Sequence, residues 1–257
     1  MQLATWNVNS LKVRLPQVLE WLAQSPVDVL CLQELKMDQD VFPLADIEAA
    51  GYRAAWFGQK TYNGVAILVR VPLQLDDVVL GIPGYDDPQR RVIAATVSGV
   101  RVICGYFVNG EAVDSPKYPY KLEWLGKLHG YVADELTRHP QLALLGDYNI
   151  APEDRDVYDP ENWQEQVLCS TPERDAFRGL IGLGLADSFR LFNQEDKQYS
   201  WWDYRAMMFR RNKGVRIDHI LITPPLQARA TACIIDKTPR KWERPSDHTP
   251  VVLTLAD

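Results

Sequence analysis

Short apolar runs that stop at an acid or an amide are the feature that most constrains this chain of 257 residues. Runs such as LATW, VLCLQ and LALLG have the length and composition of strands buried in a sheet. The polar residues at the ends of these runs and of TPVVLTL are Asn7, Glu34, Asp147, Asn149, Asp247 and His248. Acids rarely lie at the edge of a core unless they are paired or bind a metal. The pattern therefore predicts strands whose ends carry a polar site.

The apolar runs alternate with helical patterns along the whole chain, without a break in composition. The predicted strands cover residues 3–8, 27–33, 64–70, 91–97, 100–107, 142–145, 199–203, 216–222, 232–236 and 249–255. The predicted helices cover residues 15–24, 42–50, 117–138 and 172–183. Many short strands with a few helices between them predict an α/β fold of stacked mixed sheets under helical layers. We expect a single domain that spans residues 1–257.

The charge distribution predicts a cationic region in the last part of the chain. The whole chain has a net charge of −6, which by itself argues against a nucleic-acid partner because phosphate binding needs Lys and Arg. Residues 201–250 nevertheless contain ten Lys and Arg and five acids, so this stretch carries a charge of +5. A solvated basic loop would give the same charges, so composition alone leaves both interpretations open.

The chain shows no membrane or secretory signal. No apolar run approaches the ~20 residues that a membrane span needs, and the first residues lack the basic and apolar regions of a signal peptide. The four cysteines are far apart in the sequence and predict buried, reduced thiols. We therefore expect a cytoplasmic protein with no membrane partner.

The oxygen-bearing side chains at the strand ends suit a hard cation. Mg²⁺ usually takes one or two carboxylates together with water and substrate phosphate. Glu34, Asp247 and the amide oxygen of Asn7 would supply such ligands, whereas four histidines and scattered cysteines disfavour a zinc site. Taken singly, each of these residues could equally form a turn or a cap. Their recurrence at several strand ends favours a metal site.

Nine segments, in a fixed order along the chain, carry a resemblance to a known family. They are TWNVN from residue 5, LQELK from 32, GVAI from 64, QRR from 89, GYF from 105, GDYNI from 146, SWWDYR from 200, RIDH from 216 and SDHTP from 246. Together they resemble exonuclease III, in the endonuclease/exonuclease/phosphatase superfamily that also includes DNase I. This resemblance implies a four-layer α/β sandwich, in which two mixed β-sheets pack face to face with helices outside.

The resemblance to exonuclease III implies a metal site and a water-activating group. Glu34 corresponds to the main metal carboxylate, with Asn7 and Asp247 nearby. Asp147 corresponds to the group that orients and deprotonates the attacking water, with Asn149 beside it. The implied cofactor is Mg²⁺, and Mn²⁺ is the alternative ion.

The same resemblance assigns three further side chains to the phosphate. His248 corresponds to a residue that faces the scissile phosphate and is oriented by Asp218. Tyr106 corresponds to a further phosphate contact or an aid to proton transfer. A histidine protonated through Asp218 would place positive charge where negative charge builds. The alternative for His248 is a structural histidine at the start of a strand.

Side chains that hold DNA are also implied by the resemblance. Arg90 and the cations of residues 205–216, Arg205 among them, offer contacts for DNA phosphates. Asn109 lies in a loop where relatives carry an amide that contacts DNA. Trp201 corresponds to a wall of a sugar or abasic pocket, whereas the next residue, Trp202, faces the opposite way by strand alternation and is expected to pack in the core or on the surface.

Two stretches depart from the family pattern. Ser10 stands where a glycine commonly follows the first motif, so the first loop is expected to differ in shape. Residues 151–170 match no motif. In relatives this region approaches the DNA, and we expect it to influence which lesion is preferred.

The resemblance implies a Mg²⁺-dependent DNA phosphodiesterase in base-excision repair. The expected activities are 3′–5′ exonuclease on duplex DNA, abasic-site endonuclease and 3′-end processing, in proportions that the sequence leaves open. The expected partner of this monomer is double-stranded DNA, including abasic or nicked DNA. An inositol-phosphate or sphingolipid phosphatase would keep the fold, but the QRR and SWWDYR segments favour DNA. A catalytically silent DNA-binding protein is disfavoured by the intact Glu34, Asp147 and His248.

Overall fold

The apolar runs form twelve strands in the computed structural model, which describes residues 1–256. In chain order the strands are β1 (Gln2–Asn7), β2 (Val29–Gln33), β3 (Tyr52–Phe57), β4 (Val65–Arg70), β5 (Asp76–Leu80), β6 (Val92–Val97), β7 (Val100–Tyr106), β8 (Leu142–Asp147), β9 (Ala186–Asp187), β10 (Asp218–Ile222), β11 (Ala230–Ile235) and β12 (Val251–Leu255). The helices are α1 (Leu11–Gln24), α2 (Leu44–Ala49), α3 (Lys117–Arg138), α4 (Pro160–Trp163), α5 (Thr171–Gly182), α6 (Ser188–Phe192) and α7 (Pro224–Gln227). Among residues 1–256, no helix combines the length and apolar character that a membrane crossing requires.

Two six-stranded mixed sheets result from the pairing of these strands. The first sheet has the order β11-β12-β1-β2-β4-β3, and the second has the order β5-β6-β7-β8-β10-β9. The pairs β1–β2 and β7–β8 are parallel, whereas the other neighbours are antiparallel. A parallel pair needs a crossover connection, and α1 and α3 supply these two crossovers.

The alternation of side chains along the strands builds three apolar layers. One face of each sheet packs against the other sheet, through residues such as Leu3, Val102 and Leu145. The outer face of the first sheet packs on α1 and α2, and that of the second packs on α3 and α5. Burial of apolar surface, at ~25 cal/mol per Å², therefore stabilises both faces of both sheets. This arrangement is the predicted four-layer α/β sandwich.

The same alternation sends four polar side chains toward the space between the sheets. Asn7 ends β1, Tyr106 ends β7, Asp147 ends β8 and Asp218 begins β10. Each lies two residues from an inward-facing position of its own strand, so it points to the same face. The register of the second sheet places Asp147 beside both Tyr106 and Asp218. One rim of the sandwich therefore collects these side chains.

Most predicted elements are present, with ends shifted by a few residues, but the edges of the sheets differ from the prediction. The sequence pattern misses β3, β5 and β9, of which β5 is largely exposed and β9 has only two residues. Residues 199–203 do not form the predicted strand, because Trp201 makes only isolated bridges to Val215 and His248. Trp202 is nevertheless fully buried while Trp201 is half-buried, as alternation predicts.

A buried charge cluster anchors residues 151–170, which matched no motif. The Nε atom of Arg216 donates to Asp156 at 2.7 Å, and another of its guanidinium nitrogens lies 2.8 Å from Asp187. Arg190 donates to Asp156 at 2.5 Å. Arg216 is only 1% exposed. The prediction that Arg216 offers its charge to DNA phosphates is therefore wrong, because its charge is neutralised inside the protein.

We expect Asp156→Asn to weaken the fold and to flatten its response to acid. Burial by itself raises the pKa of Asp156, but the charges of Arg216 and Arg190 outweigh burial and hold the pKa at about 2. An unfolded Asp has a pKa of ~3.9. The lower pKa in the folded state adds about 2 kcal/mol to the free energy of unfolding at pH values above ~3.9, and this contribution is lost as the pH falls to about 2. Urea unfolding at a series of acidic pH values should show a steeper loss of unfolding free energy in the wild type. Equal slopes in the two proteins would contradict this assignment.

Candidate active site

Three titratable side chains converge at the rim where the two sheets meet. A carboxylate oxygen of Glu34, one of Asp147 and a ring nitrogen of His248 lie within 4.8 Å of one another. Glu34 follows β2 with a left-handed backbone, at a φ of 56°, and His248 shortly precedes β12. Carboxylate oxygens at the edge of a cavity are the donors that Mg²⁺ prefers. The residues present therefore fit a hard divalent cation.

Glu34 is held in place by donors from three parts of the chain. The phenol of Tyr106 donates to its Oε1 at 3.0 Å, and Asn7 Nδ2 donates to the same oxygen at 2.8 Å. Lys36 Nζ lies 2.8 Å from Oε2. Asn7 Nδ2 also donates to Asp147 at 2.9 Å, while the Asn7 amide oxygen accepts a backbone N–H. The nitrogen of Asn7, rather than the oxygen predicted as a metal ligand, therefore faces the carboxylates.

Asp147 is a buried carboxylate with a raised affinity for protons. Burial raises the pKa of Asp147 to about 7, even though the charge of His248 lowers it. The backbone N–H of Asn149 donates to Asp147 Oδ1 at 2.9 Å, and the Asn149 amide donates to Oδ2 at 3.3 Å. A fixed carboxylate that exchanges its proton near neutral pH is suited to take a proton from water.

His248 lies between two carboxylates. Its Nδ1 donates to Asp218 Oδ2 at 2.9 Å, and its Nε2 lies 3.7 Å from Asp147 Oδ2. Burial by itself lowers the pKa of His248, but the charges of Asp218 and Asp147 outweigh burial and raise the pKa to about 10. The side chain is therefore an imidazolium at neutral pH, with one N–H fixed by Asp218 and the other directed toward the cluster. A histidine with only a structural role at the start of a strand would not need contacts with two carboxylates.

Asp247 lies beside the cluster but makes other contacts. Its Oδ1 accepts a bond from Asn9 Nδ2 at 3.0 Å, and its Oδ2 accepts a bond from the indole N–H of Trp201 at 3.0 Å. Within residues 1–256, Asp247 does not belong to the group of atoms that could share one ion. In this structure Asp247 orients Trp201, a contact that no sequence motif predicts.

A cavity of about 580 Å³ opens in front of the cluster. Nine of the predicted site residues line it: Glu34, Tyr106, Asn109, Asp147, Asn149, Trp201, Arg205, Asp247 and His248. Asn7 and Asp218 contact the cluster from behind the lining. Arg90 is not brought to this cavity, because its guanidinium lies over the ring of Phe57, at 4.7 Å, and lines a separate surface cleft.

One wall of the cavity comes from residues that no motif identified. Trp163, Val167 and Leu168 line it, and they pack in an apolar cluster with Val215 and Ile217. Their signal in the sequence is a tryptophan and a few aliphatic residues in a polar stretch, which is too weak to locate a cavity wall. The structure places Trp163, Val167 and Leu168 at the same cavity as Glu34, Asp147 and His248.

Two stacked mixed sheets with a carboxylate and histidine cluster at one rim define the DNase I-like class of α/β sandwich. The chain belongs to the endonuclease/exonuclease/phosphatase family, whose model matches residues 4–248. It is 33% identical to exodeoxyribonuclease III of Haemophilus influenzae over 264 residues, with 98% of each chain covered. The resemblance inferred from the nine segments is confirmed.

Solved structures agree with this family assignment. The structure of a 3′ phosphatase from Neisseria bound to a product DNA hairpin has a TM-score of 0.98 and 55% identity, and 100% of both chains is covered. An AP endonuclease from Archaeoglobus fulgidus has a TM-score of 0.94 and 37% identity, with 99% of both chains covered. The fold and the family therefore extend over essentially the whole chain.

Proposed function

We propose that this chain is a Mg²⁺-dependent DNA-repair nuclease of the exonuclease III type. The observation that carries the proposal is the convergence of Glu34, Asp147 and His248 at one cavity. The cavity volume lies in the range of sites that hold small ligands. Similarity over the full length to an exodeoxyribonuclease III and an AP endonuclease supports the same function.

The chemistry of phosphodiester hydrolysis matches the side chains of the site. The reaction requires a positioned nucleophile, a stabilised leaving oxygen and neutralised phosphate charge. Mg²⁺ held by Glu34 would neutralise phosphate charge when bound. Asp147 would take a proton from the attacking water, and the His248 imidazolium, oriented by Asp218, would donate to a phosphate oxygen. Burial raises the pKa of Tyr106, so its phenol stays protonated and can act as a donor.

The proposed substrate is duplex DNA, including abasic or nicked duplexes, and the protein would bind it as a monomer. Trp201, fixed by its bond to Asp247, would form the wall of a sugar pocket. Asn109 donates to the Asn149 side chain at 2.8 Å, so a DNA contact there would lie next to the reacting phosphate. The Arg205 side chain is 87% exposed at the cavity, where it pairs with Asp203 at 2.5 Å, and it would turn from this exposed pair to a DNA phosphate.

A direct assay tests the proposed function. End-labelled duplexes with and without an internal abasic site are incubated with the protein in Mg²⁺ or in chelator. We expect 3′-end shortening or cleavage at the abasic site in Mg²⁺, and intact DNA in chelator. Binding of duplex DNA without cleavage, or phosphate release from a soluble inositol phosphate without DNA cleavage, would contradict the proposal.

The salt dependence of DNA binding tests the role of Arg205. Because each phosphate contact releases a counterion, Arg205→Ala should weaken binding and reduce the slope of log affinity against log salt by about 1. The matched control is Arg178→Ala, since Arg178 is also exposed and paired with a neighbouring Asp, but lies on α5 outside the cavity lining. The measurement is fluorescence anisotropy of a labelled duplex in chelator. An unchanged slope for Arg205→Ala would remove this residue from the DNA contacts.

A further inference from the structure

Lys121 and Glu173 form a buried ion pair behind the catalytic cavity. Lys121 lies on α3, Glu173 lies in the first turn of α5, and both side chains are 0% exposed. Neither belongs to the nine family segments, although Glu173 completes the capping box that Ser170 begins at the start of α5, and neither lines the cavity. Desolvation makes such a pair costly, so a contribution to stability alone is a weak reason for it. Its remaining hydrogen bonds indicate another role.

The Lys121 ammonium group holds two loops of the site through their backbone. Its Nζ donates to the carbonyl oxygen of Asn149 at 2.7 Å and to that of Asn109 at 3.1 Å. Both asparagines line the cavity, and their side chains bond to each other. Asn149 has a left-handed backbone, with a φ of 48°, which is disfavoured for residues with a side chain. Lys121 therefore supports a strained residue that contacts Asp147.

Glu173 holds a third loop of the same cavity. Its Oε1 accepts the backbone N–H of Leu168 at 3.0 Å. Its Oε2 accepts the backbone N–H of Ser170 at 3.0 Å and the Ser170 hydroxyl at 2.6 Å. Leu168 lines the cavity and has a φ of 76°, so its backbone is also held in a disfavoured conformation. The Glu173 carboxylate thus connects residues 151–170, which match no motif, to Lys121.

We propose that the Lys121–Glu173 pair is a positioning device that sets Asn109, Asn149 and Leu168 against Asp147. The proposal rests on the proposed nuclease function. The pair touches no substrate, and it acts through three loops that surround the reacting phosphate. Because Asn149 bonds to both oxygens of Asp147, a shift of its loop would misplace the base. A misplacement of about 1 Å can cost about 10²-fold in rate, and this loss should fall on kcat rather than on KM.

The test uses a double variant, Lys121→Met with Glu173→Gln, which removes both charges and leaves no unpaired ion. We expect kcat on an end-labelled duplex to fall about 10²-fold per folded molecule, with little change in KM. The matched control is Arg101→Met with Glu135→Gln, which neutralises another buried pair that also involves α3. Arg101 lies beside Leu142, at the end of the β7–β8 pair opposite to Tyr106 and Asp147. The control should keep the wild-type kcat.

An equal loss of kcat in both double variants, or no loss in either, would overturn the proposal. If this double variant does not fold, Lys121→Gln with Glu173→Gln decides, because two side-chain amides leave no unpaired ion, can bond to each other and should still lower kcat. Hydrogen exchange gives a readout that does not need activity. Because Gln has one acceptor oxygen where Glu has two, the amide of Leu168 or that of Ser170 should exchange faster in the Glu173 variants than in the control. Unchanged exchange would refute the positioning role, whereas absence of cleavage by the wild type would refute only the proposed function.

Discussion

Asp147→Asn should lower DNA cleavage roughly 10³-fold, in the range of a lost general base, and should leave DNA binding within a few-fold of the wild type. Asn has the same shape, but it cannot take a proton from water. The fold should persist, because a neutral amide at this buried position avoids the cost of burying a charge. Single-turnover cleavage of an end-labelled duplex gives the rate, and anisotropy in chelator gives the affinity.

The control for Asp147→Asn is the same chemical change at an exposed position. Asp175 lies on α5 outside the cavity lining, and its carboxylate is 61% exposed. Asp175→Asn should therefore cleave at the wild-type rate. Normal cleavage by Asp147→Asn would show that another group activates the water, and the proposed mechanism would then be wrong.

Glu34→Gln should lower turnover by roughly 10²–10³-fold, because metal neutralisation of phosphate charge contributes several kcal/mol. Gln keeps an oxygen that can accept from Tyr106 and Asn7, so the surrounding geometry should be retained. The loss should be largest at low Mg²⁺ and partly reversed at high Mg²⁺, because the variant binds the ion more weakly. Turnover measured across a Mg²⁺ titration gives both the maximal rate and the midpoint.

The matched control for Glu34→Gln is Glu111→Gln. Glu111 lies at the exposed edge of the same cavity and pairs with Lys117 at 2.9 Å, away from the carboxylate cluster. We expect this control to keep the wild-type Mg²⁺ midpoint. A Glu34→Gln protein with the wild-type midpoint and rate would show that the ion is held elsewhere.

Most of the cluster could be predicted from the sequence, for a reason that lies in strand geometry. Asn7 and Asp147 lie at the ends of buried strands, so a period of two determines the face on which each side chain lies, whereas Tyr106 and Asp218 were expected only from the family resemblance. Glu34 follows the next strand directly, and His248 lies just before the last one. Short-range rules locate such residues well, because their neighbours in the chain determine their orientation.

The contacts of other residues could not be predicted from the sequence, because their partners are distant in the chain. Arg216 reads as a basic residue in a cationic stretch, but Asp156 and Asp187 neutralise it in the interior. The partners of Asp247 are Asn9 and Trp201, which bond to its two oxygens, and its role beside the metal stays a prediction. The local sequence around these residues carries no information about which side chains they meet.

By itself, the sequence determined most of the strands, the family and the identity of the chemical groups, because these follow from local periodicity and from motifs. Only the tertiary structure decided that Glu34, Asp147 and His248 share one cavity, and that residues 151–170 form its other wall. It also decided that Lys121 and Glu173 connect three loops behind that cavity. The physical reason is that hydrogen bonds and ion pairs between remote segments depend on distances that only the packed sheets and helices establish.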